Sequence, residues 1–253
     1  MTYCIFSDLR HYEVSSSTEN IGRIHDVYLD DQSWKVRWFV VETGHWFSSN
    51  KVLLDPRKVL EVSPETRNIT VSASKESIQN APSAEQHPPV SDQNEQKYNY
   101  IVTNHDTLLF TGYAGAMMPP TLVERAQTAT SAEQELQDSV RQSSDRHLRS
   151  ASELDGYTVS AIDDTLGPLS DLVINSESWT IDLLALDTSK WLPGRTVVIS
   201  PQSVDKISWD ERKLMVKMDK ETIEQSPELG DLKSIETSYI SRLNEFYRYP
   251  MVY

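Results

Sequence analysis

The sequence has little of several things that other classes of protein require. Its 253 residues include one cysteine, Cys4, which excludes an internal disulfide and a cysteine-based metal site. No apolar run reaches the roughly 18 residues of a membrane span. The N-terminal residues show no long apolar stretch after a basic start, so we expect no signal peptide. These absences predict a soluble, cytoplasmic protein.

Basic residues are also scarce relative to acidic ones. The chain has 24 Lys and Arg against 38 Asp and Glu, for a formal charge of −14. Affinity for a phosphate backbone comes from Lys and Arg, so the acid excess argues against nucleic acid as a partner. The length predicts about two domains. A mean hydropathy of −0.49 indicates that part of the chain is loosely packed.

What the chain does contain is an internal repeat. Adding 145 to any residue number between 7 and 82 gives its counterpart between 152 and 227, with no gap. A missed repeat of this kind would lead to the wrong fold. The chain therefore carries two copies of one domain of about 75 residues. Identical pairs include Ser7/Ser152, Leu9/Leu154, Tyr12/Tyr157, Gly22/Gly167, Asp26/Asp171, Trp34/Trp179, Thr43/Thr188, Trp46/Trp191, Pro56/Pro201 and Pro82/Pro227.

Each copy has the residue pattern of strands. Short β-branched and aromatic runs end in turn residues, and loops at 30–33 and 175–178 read as hairpins closed against Trp34 or Trp179. Ser74 or Asp219 then provides an N-cap for one short helix that ends before the next proline. About six short strands and a terminal helical turn predict a small β-barrel, which removes exposed sheet edges.

The remaining segments are different in character. Residues 83–100 are polar, and residues 100–113 predict a further strand. Two capping boxes, at 121–124 and 131–134, predict one helix that begins at Leu122 and another that runs to about Arg146. Residues 235–246 predict an amphipathic helix, with Tyr239, Leu243 and Phe246 at helical spacing. The predicted organisation is a first barrel at 1–82, a partly helical linker at 83–148, a second barrel at 149–230, and an amphipathic helix with an aromatic tail at 231–253.

Two stretches of copy two resemble a known family. Residues 166–175 read Leu-Gly-Pro-Leu-Ser-Asp-Leu-Val-Ile-Asn, and after Trp179 residues 191–201 read Trp-Leu-Pro-Gly-Arg-Thr-Val-Val-Ile-Ser-Pro. Residues 21–30 of copy one, Ile-Gly-Arg-Ile-His-Asp-Val-Tyr-Leu-Asp, carry the same signature. The pattern resembles the PRC-barrel family, which includes the cytoplasmic domain of the photosynthetic reaction centre H subunit. Copy one departs from it at residues 48–50, which replace the Pro-Gly-Arg of residues 193–195.

The resemblance implies a fold and a scaffold-like role rather than an enzymatic reaction. It predicts a mainly β protein of two small PRC-like barrels in tandem, each with a short C-terminal helix, and a non-enzymatic role in protein interaction. Two alternatives stay open. One is a photosynthesis-linked assembly or electron-transfer support protein that docks on a membrane complex without spanning the bilayer. The other is a small-ligand binder.

No residue pattern in the sequence points to catalysis, a cofactor or a metal. The six histidines form no close pair with metal-ligand spacing. Asp26 and Asp171 invite a functional guess, but a carboxylate that accepts backbone N–H groups is the favoured interpretation. The pairs Asp30-Asp31 and Asp163-Asp164 lack the glycine and distal glutamate of a calcium loop and indicate solvated turns. Gly22 and Gly167 indicate a tight turn or bulge.

Aromatic residues are the best candidates for an interaction surface. Trp46 and Trp191 follow a strand in loops, where they either close the barrel core or anchor a partner. The tail residues Phe246, Tyr247 and Tyr249 raise the same question. We therefore predict a protein partner of unidentified nature, with peripheral membrane docking and homodimerisation as open alternatives.

The charge is divided unevenly between the copies. Residues 7–82 contain 9 basic and 11 acidic residues, whereas residues 152–227 contain 7 and 14. Because the apolar pattern is retained while the charge diverges, we expect the two copies to meet each other, or different partners, through different surfaces.

Overall fold

The fold was analysed in a computed structural model, which describes residues 2–16, 19–44, 51–85, 87–89 and 147–248. The chain opens with strand β1 (Tyr3–Ile5) and the one-turn helix α1 (Phe6–Leu9). Six strands of copy one follow, and helix α2 (Lys75–Gln79) ends it. These strands are β2 (Glu13–Ser15), β3 (Asn20–Asp30), β4 (Val36–Glu42), β5 (Lys51–Leu54), β6 (Val59–Ser63) and β7 (Asn68–Val71).

Copy two repeats this order of elements. It opens with strand β8 (Leu148–Ser150) and helix α3 (Ala151–Leu154). It ends with helix α4 (Lys220–Glu224), which is followed by helix α5 (Thr237–Tyr247). The six strands between are β9 (Thr158–Ser160), β10 (Thr165–Asn175), β11 (Thr180–Leu186), β12 (Val197–Ile199), β13 (Val204–Ser208) and β14 (Lys213–Val216). The prediction of a mainly β protein with two barrel-like sheets is confirmed.

The two sheets have the same topology. One runs β5-β4-β3-β2-β7-β6 and the other β12-β11-β10-β9-β14-β13, each with a seventh strand beside its long strand. Pairing is antiparallel except between β2 and β7 and between β9 and β14. Bulges at Ile24/Asp26 and Leu169/Asp171 interrupt the registers of β3 and β10. Such bulges bend a strand, so one half of β3 pairs with β2 and the other half with the seventh strand.

The seventh strand of each sheet comes from the other copy. Strand β1 pairs with β10 of copy two, with Cys4 opposite Ile174. Strand β8 pairs with β3 of copy one, with Arg149 opposite Leu29. The predicted ranges 1–82 and 149–230 therefore each begin with a segment that lies in the other copy's sheet.

A single apolar core joins the two copies. Its largest cluster of buried side chains contains residues of both, among them Leu9, Phe39, Leu154 and Leu184. The Phe39 ring meets the Trp179 ring edge to face, with 4.8 Å between centroids. We call this interface between the two copies the seam. The exchange of strands and this shared core unite the copies in one compact unit.

The local turn and cap predictions are confirmed. The Ser74 hydroxyl accepts the Ser77 N–H, and the Asp219 carboxylate accepts the Thr222 N–H, so both side chains cap the helices as expected. Trp34 and Trp179 end the two hairpin loops in the left-handed region, with φ of 55° and 54°. The strand predicted at 100–113 and the helices predicted from Leu122 to Arg146 lie outside the described residues.

The predicted amphipathic helix is present as α5. Its buried residues Tyr239 and Leu243 pack on Val173, Leu183 and other apolar residues of the outer face of the second sheet. The first sheet has an apolar cluster at the equivalent positions, 145 residues earlier for every member except Leu148, which corresponds to Tyr3 beside the second sheet. That cluster contains Tyr28, Trp38, Val40, Leu53, Ala84 and Leu148.

Candidate interaction surface

Asp26 is a buried carboxylate that holds the two copies together. Its side chain is 6% exposed and lies beside the bulge of β3. It accepts hydrogen bonds from the Ser152 N–H at 3.0 Å, the Ser152 hydroxyl at 2.8 Å and the Ser150 hydroxyl at 2.5 Å, all from the start of α3 in copy two. It also accepts the N–H of Val27. The expectation that this carboxylate binds backbone N–H groups is confirmed, and the groups belong to the other copy.

Asp171 makes the equivalent contact in the opposite direction. It accepts the N–H of Ser7 at 3.1 Å, in the first turn of α1, and the N–H of Leu172 at 2.8 Å. Burial raises the pKa of Asp171 above its ordinary value, although the hydrogen bonds from Ser7 and Leu172 act in the opposite sense. Asp26 and Asp171 thus each fasten the first helical turn of the opposite copy.

A second contact at the seam exists on one side only. The Asp31 carboxylate accepts a hydrogen bond from Arg149 Nε at 2.6 Å and lies 2.8 Å from His147 Nδ1. The side chains of Asp31 and Arg149 are each 11% exposed. The Asp31 N–H also donates to the His147 carbonyl. Sequence reasoning missed this cluster, because the three residues are 116 and 118 positions apart.

The equivalent position on the other side is neutral. Ser176 stands where copy one has Asp31, and its N–H and hydroxyl both donate to the Thr2 carbonyl, at 3.0 and 2.8 Å. Cys4 stands where copy two has Arg149. The Cys4 side chain is buried in the shared core, and burial raises the pKa of its thiol to about 11. The thiol is therefore un-ionised at neutral pH and a poor nucleophile.

The expectation of a solvated turn is wrong at Asp31, whose side chain is nearly buried against Arg149, whereas Asp30, Asp163 and Asp164 serve local structure. Asp163 accepts the N–H of Lys220 at the start of α4, and Asp164 forms an ion pair with the Lys220 ammonium at 2.8 Å. Asp30 accepts the N–H groups of Gln32 and Ser33 in its hairpin loop. Among the described residues no group of three or more His, Cys, Asp or Glu side chains is arranged to hold a metal ion.

The two repeated glycines allow close approach of neighbouring strands. A Cβ on Gly22 would lie 2.1 Å from the Glu42 carbonyl oxygen, and one on Gly167 would lie 2.4 Å from that of Asp187. Gly167 also has φ of +135° and adjoins a bulge against β9. The interpretation of these residues as bulge glycines is confirmed at Gly167, where both the bulge and the positive φ are present.

Trp191 packs on the second barrel-like sheet. Its indole N–H donates to the Leu166 carbonyl, and the Lys220 ammonium lies 5.2 Å from the ring centroid. The side chain is partly buried and packs against the shared core. These contacts favour the core-closing alternative over a partner anchor at this position. Its counterpart Trp46 lies outside the described residues.

Two of the tail candidates, Phe246 and Tyr247, lie at the end of α5. Phe246 is 37% exposed and meets Tyr247 edge to face, with 5.0 Å between centroids. Tyr247 is partly buried and contacts the apolar clusters of the second barrel. Tyr249 lies outside the described residues. An interaction role for these residues stays a prediction.

Among the residues that the structure describes, three large exposed apolar side chains were not predicted. Leu60 is 68% exposed, Ile162 73% and Trp209 39%. Their counterparts in the other copy are Asp205, Ser17 and Pro64, so each lies on a surface where the copies differ. Comparing the two copies position by position would have identified them.

The surface charges of the copies also differ at equivalent positions. Exposed Arg10 corresponds to exposed Asp155, which reverses the charge. Exposed Arg57, paired only at the surface with Asp55, corresponds to neutral Gln202. The histidines add little to this pattern. Burial and the neighbouring Lys51 lower the pKa of His25, and His45 and His105 lie outside the described residues.

A comparison with models of protein families finds a match in the first copy. The model of the PRC-barrel domain matches residues 2–78. Residues 2–78 form a PRC-barrel domain. The match covers β1 to α2, including the strand that this PRC-barrel contributes to the sheet of copy two. No curated protein matches the sequence. None of the helices in the described parts of the chain is long and apolar enough to cross a membrane.

Proposed function

We propose that this protein is a non-enzymatic scaffold in which two PRC-like barrels, fused back to back, present surfaces of different charge to protein partners. The PRC-barrel match supports an interaction role. The observation that carries the proposal is the contrast between seam and surface. Asp26 and Asp171 make equivalent contacts at the seam, whereas Arg10 and Asp155 carry opposite charges at equivalent exposed positions.

Charged surface residues contribute more to partner choice than to affinity, because a like charge on the wrong partner is repelled. The barrel of copy one carries Arg10 and Arg57 where that of copy two carries Asp155 and Gln202. A partner with an acidic docking surface would accordingly prefer copy one, and a partner with a basic surface would prefer copy two.

The test uses the full chain, since each barrel contains a strand of the other. Two variants exchange the exposed residues between copies: R10D/R57Q gives copy one the residues of copy two, and D155R/Q202R does the reverse. Each variant and the unaltered protein would be used for affinity purification from the native host, with quantitative mass spectrometry of the recovered proteins. We expect the two variants to lose different partners.

The two variants control for each other, because both change two exposed positions of the same kind. Circular dichroism and thermal melts would verify that each retains its fold. If both variants recovered the same partners in unchanged amounts, the proposed division of partners by charge would be wrong.

Docking on a photosynthetic membrane complex rests on the family resemblance alone and stays a prediction. It requires both association with the membrane fraction and light-dependent expression. Binding of a small ligand likewise stays a prediction, which a thermal-shift screen of metabolites would test.

A further inference from the structure

We propose that Asp31 and Arg149 select which N-terminal segment docks on which barrel, so that the two copies pair with each other rather than each with its own kind. Each barrel has a docking site for the other copy's first segment, which we call its groove. The groove is the edge of the long strand, β3 or β10, along which the other copy's three-residue strand pairs. Each groove takes a segment that consists of a three-residue strand followed by a helical turn with serine at its second position, which is Ser7 or Ser152.

The main-chain contacts do not distinguish the two segments. The N–H of Asp31 donates to the His147 carbonyl, and the N–H of its counterpart Ser176 donates to the Thr2 carbonyl. Asp26 and Asp171 each accept the N–H of the serine in the docked helical turn. Because any peptide supplies these groups, the segment 2–9 would find the same main-chain partners on copy one as the segment 147–154 does.

The side chains do distinguish them. The groove of copy one contains two carboxylates, Asp26 and Asp31, and it receives the hydroxyl of Ser150 and the guanidinium of Arg149. At the equivalent places the groove of copy two contains Asp171 and Ser176, and it receives Cys4 and Ile5, both buried and 4% and 6% exposed. Each groove thus matches the polarity of the segment that occupies it.

Mispaired copies would lose this match. If the segment 2–9 occupied the groove of copy one, Cys4 would replace Arg149, and the nearly buried Asp31 carboxylate would face a thiol. If the segment 147–154 occupied the groove of copy two, the Arg149 guanidinium would face neutral Ser176. A charge that is buried without its partner is strongly unfavourable, and this penalty provides specificity against the wrong pairing.

This proposal does not depend on the proposed scaffold function, because it concerns how the chain assembles. It also identifies the kind of partner that fits the groove of copy one: a segment with a cation at the middle of its strand and serines at the two positions that Asp26 binds. A second chain of this protein is the available source of competing segments, so the pair also limits exchange between chains.

Paired cysteines at equivalent positions report the pairing directly. Cys4 lies opposite Ile174 in the native arrangement, so I174C allows a disulfide when β1 docks on copy two. The counterpart of Ile174 is Leu29, so L29C allows a disulfide with Cys4 only when β1 docks on copy one. Leu29 and Ile174 are both fully buried and have equivalent registers, so the two reporters have matched geometry.

The experiment refolds each reporter from denaturant under mild oxidation and quantifies the disulfide-linked peptides by mass spectrometry. In the otherwise unaltered chain we expect the I174C disulfide to form and the L29C disulfide to stay near background. Adding D31S/R149A removes both charges at once, so no buried charge is left unpaired. We then expect the ratio of L29C to I174C disulfide to rise by at least about tenfold. The reason is that leaving a buried charge without its partner costs more free energy than a tenfold difference in population represents.

The isosteric pair D31N/R149Q serves as a second variant in case the first refolds poorly. It keeps the shapes and removes the charges, so the same increase in the ratio is expected. If the ratio stayed at its original value in both variants while their melting temperatures fell, the pair would be merely stabilising and the proposal would be overturned.

Discussion

Lys35 and Thr180 form an antiparallel bridge, and each is the counterpart of the other under the shift of 145. The pseudo-twofold axis that relates the copies therefore passes between them. Two main-chain hydrogen bonds flank this bridge symmetrically: the Val36 N–H donates to the Trp179 carbonyl at 2.7 Å, and the Ile181 N–H donates to the Trp34 carbonyl at 2.8 Å. The interface has the self-matching geometry of a twofold dimer within one chain.

The first prediction is that the two barrels unfold together. Phe39 is fully buried at the seam and contacts Trp179 of the other copy, so F39A should destabilise both copies by about 3–5 kcal/mol. Hydrogen exchange measured by mass spectrometry should show an equal loss of protection in β4 and β11. L60A provides the control, since Leu60 is exposed and its truncation should change stability by less than about 0.5 kcal/mol. Lost protection confined to copy one would contradict a shared core.

The second prediction compares the two seam carboxylates. D26A leaves the Ser150 hydroxyl and the Ser152 N–H without their acceptor, which should cost about 2–3 kcal/mol of unfolding free energy. D171A removes the acceptor of fewer groups and should cost less, about 1–2 kcal/mol. Urea unfolding of both variants measures the difference. A larger effect of D171A would show that the two contacts are not ranked by their hydrogen bonds.

The third prediction concerns the repeated glycines. G22A and G167A should each destabilise the protein by about 1–3 kcal/mol, because the new methyl group would overlap a carbonyl oxygen of the next strand. Gly230 provides the matched control, as a Cβ there meets nothing within 4 Å. Thermal melts of the three variants test the prediction, and equal melting temperatures for G22A and G230A would refute it.

The fourth prediction is a pH dependence with a defined sign. Burial raises the pKa of Asp171 in the folded protein, so the folded state holds this proton more tightly than the unfolded chain does. The stabilisation from protonated Asp171 is complete below the ordinary value of 3.8 and is lost as the pH rises through the folded pKa. The unfolding free energy of the unaltered protein minus that of D171N should therefore grow as the pH falls from 7 toward 4.

Asp187 provides a control of opposite sign. Hydrogen bonds from Ser189 lower the pKa of this exposed carboxyl, so its contribution is present at neutral pH and is lost in acid. The corresponding difference for D187N should shrink as the pH falls. Parallel trends for D171N and D187N in urea titrations would mean that Asp171 is not desolvated in solution.

The fifth prediction concerns the single thiol. Because Cys4 is buried and its pKa is raised to about 11, an aromatic disulfide reagent at pH 8 should label it at least about 100-fold more slowly in the native protein than in denaturant. Native labelling would require β1 to leave the second sheet, so its rate also measures that opening. Rapid stoichiometric labelling in native buffer would place β1 outside the sheet.

The parts of the fold that could be predicted are those with a local physical cause. The alternation of residues in β3 and β4, the N-caps at Ser74 and Asp219, and the hairpin loop closed at Trp34 each depend on neighbours within a few residues. The identical residue pairs of the repeat begin at Ser7, so the strands that precede it, β1 and β8, were not recognised as part of the repeat. These two strands occupy equivalent places through main-chain pairing, although none of their side chains is identical.

At the candidate site, too, only features with a local cause could be predicted from the sequence. Reading Asp26 as an acceptor for backbone N–H groups was correct, but nothing near it in the sequence indicates that the donors are at Ser150 and Ser152. Leu60, exposed and unlike its counterpart Asp205, was visible only in a comparison of the copies. The Asp31–Arg149 pair joins residues 118 positions apart, and no periodicity extends over that distance.

By itself, then, the sequence determined that there are two copies of one mainly β domain, because strands, turns and caps arise from short-range preferences that each copy repeats. Only the tertiary structure decided how the copies are joined. A three-residue strand such as Tyr3–Ile5 has no intrinsic partner, and β8 pairs with β3 in the same register in which β1 pairs with β10. The two grooves differ in their side chains, with Asp31 in one and Ser176 in the other, and the effect of these side chains appears only when distant segments meet.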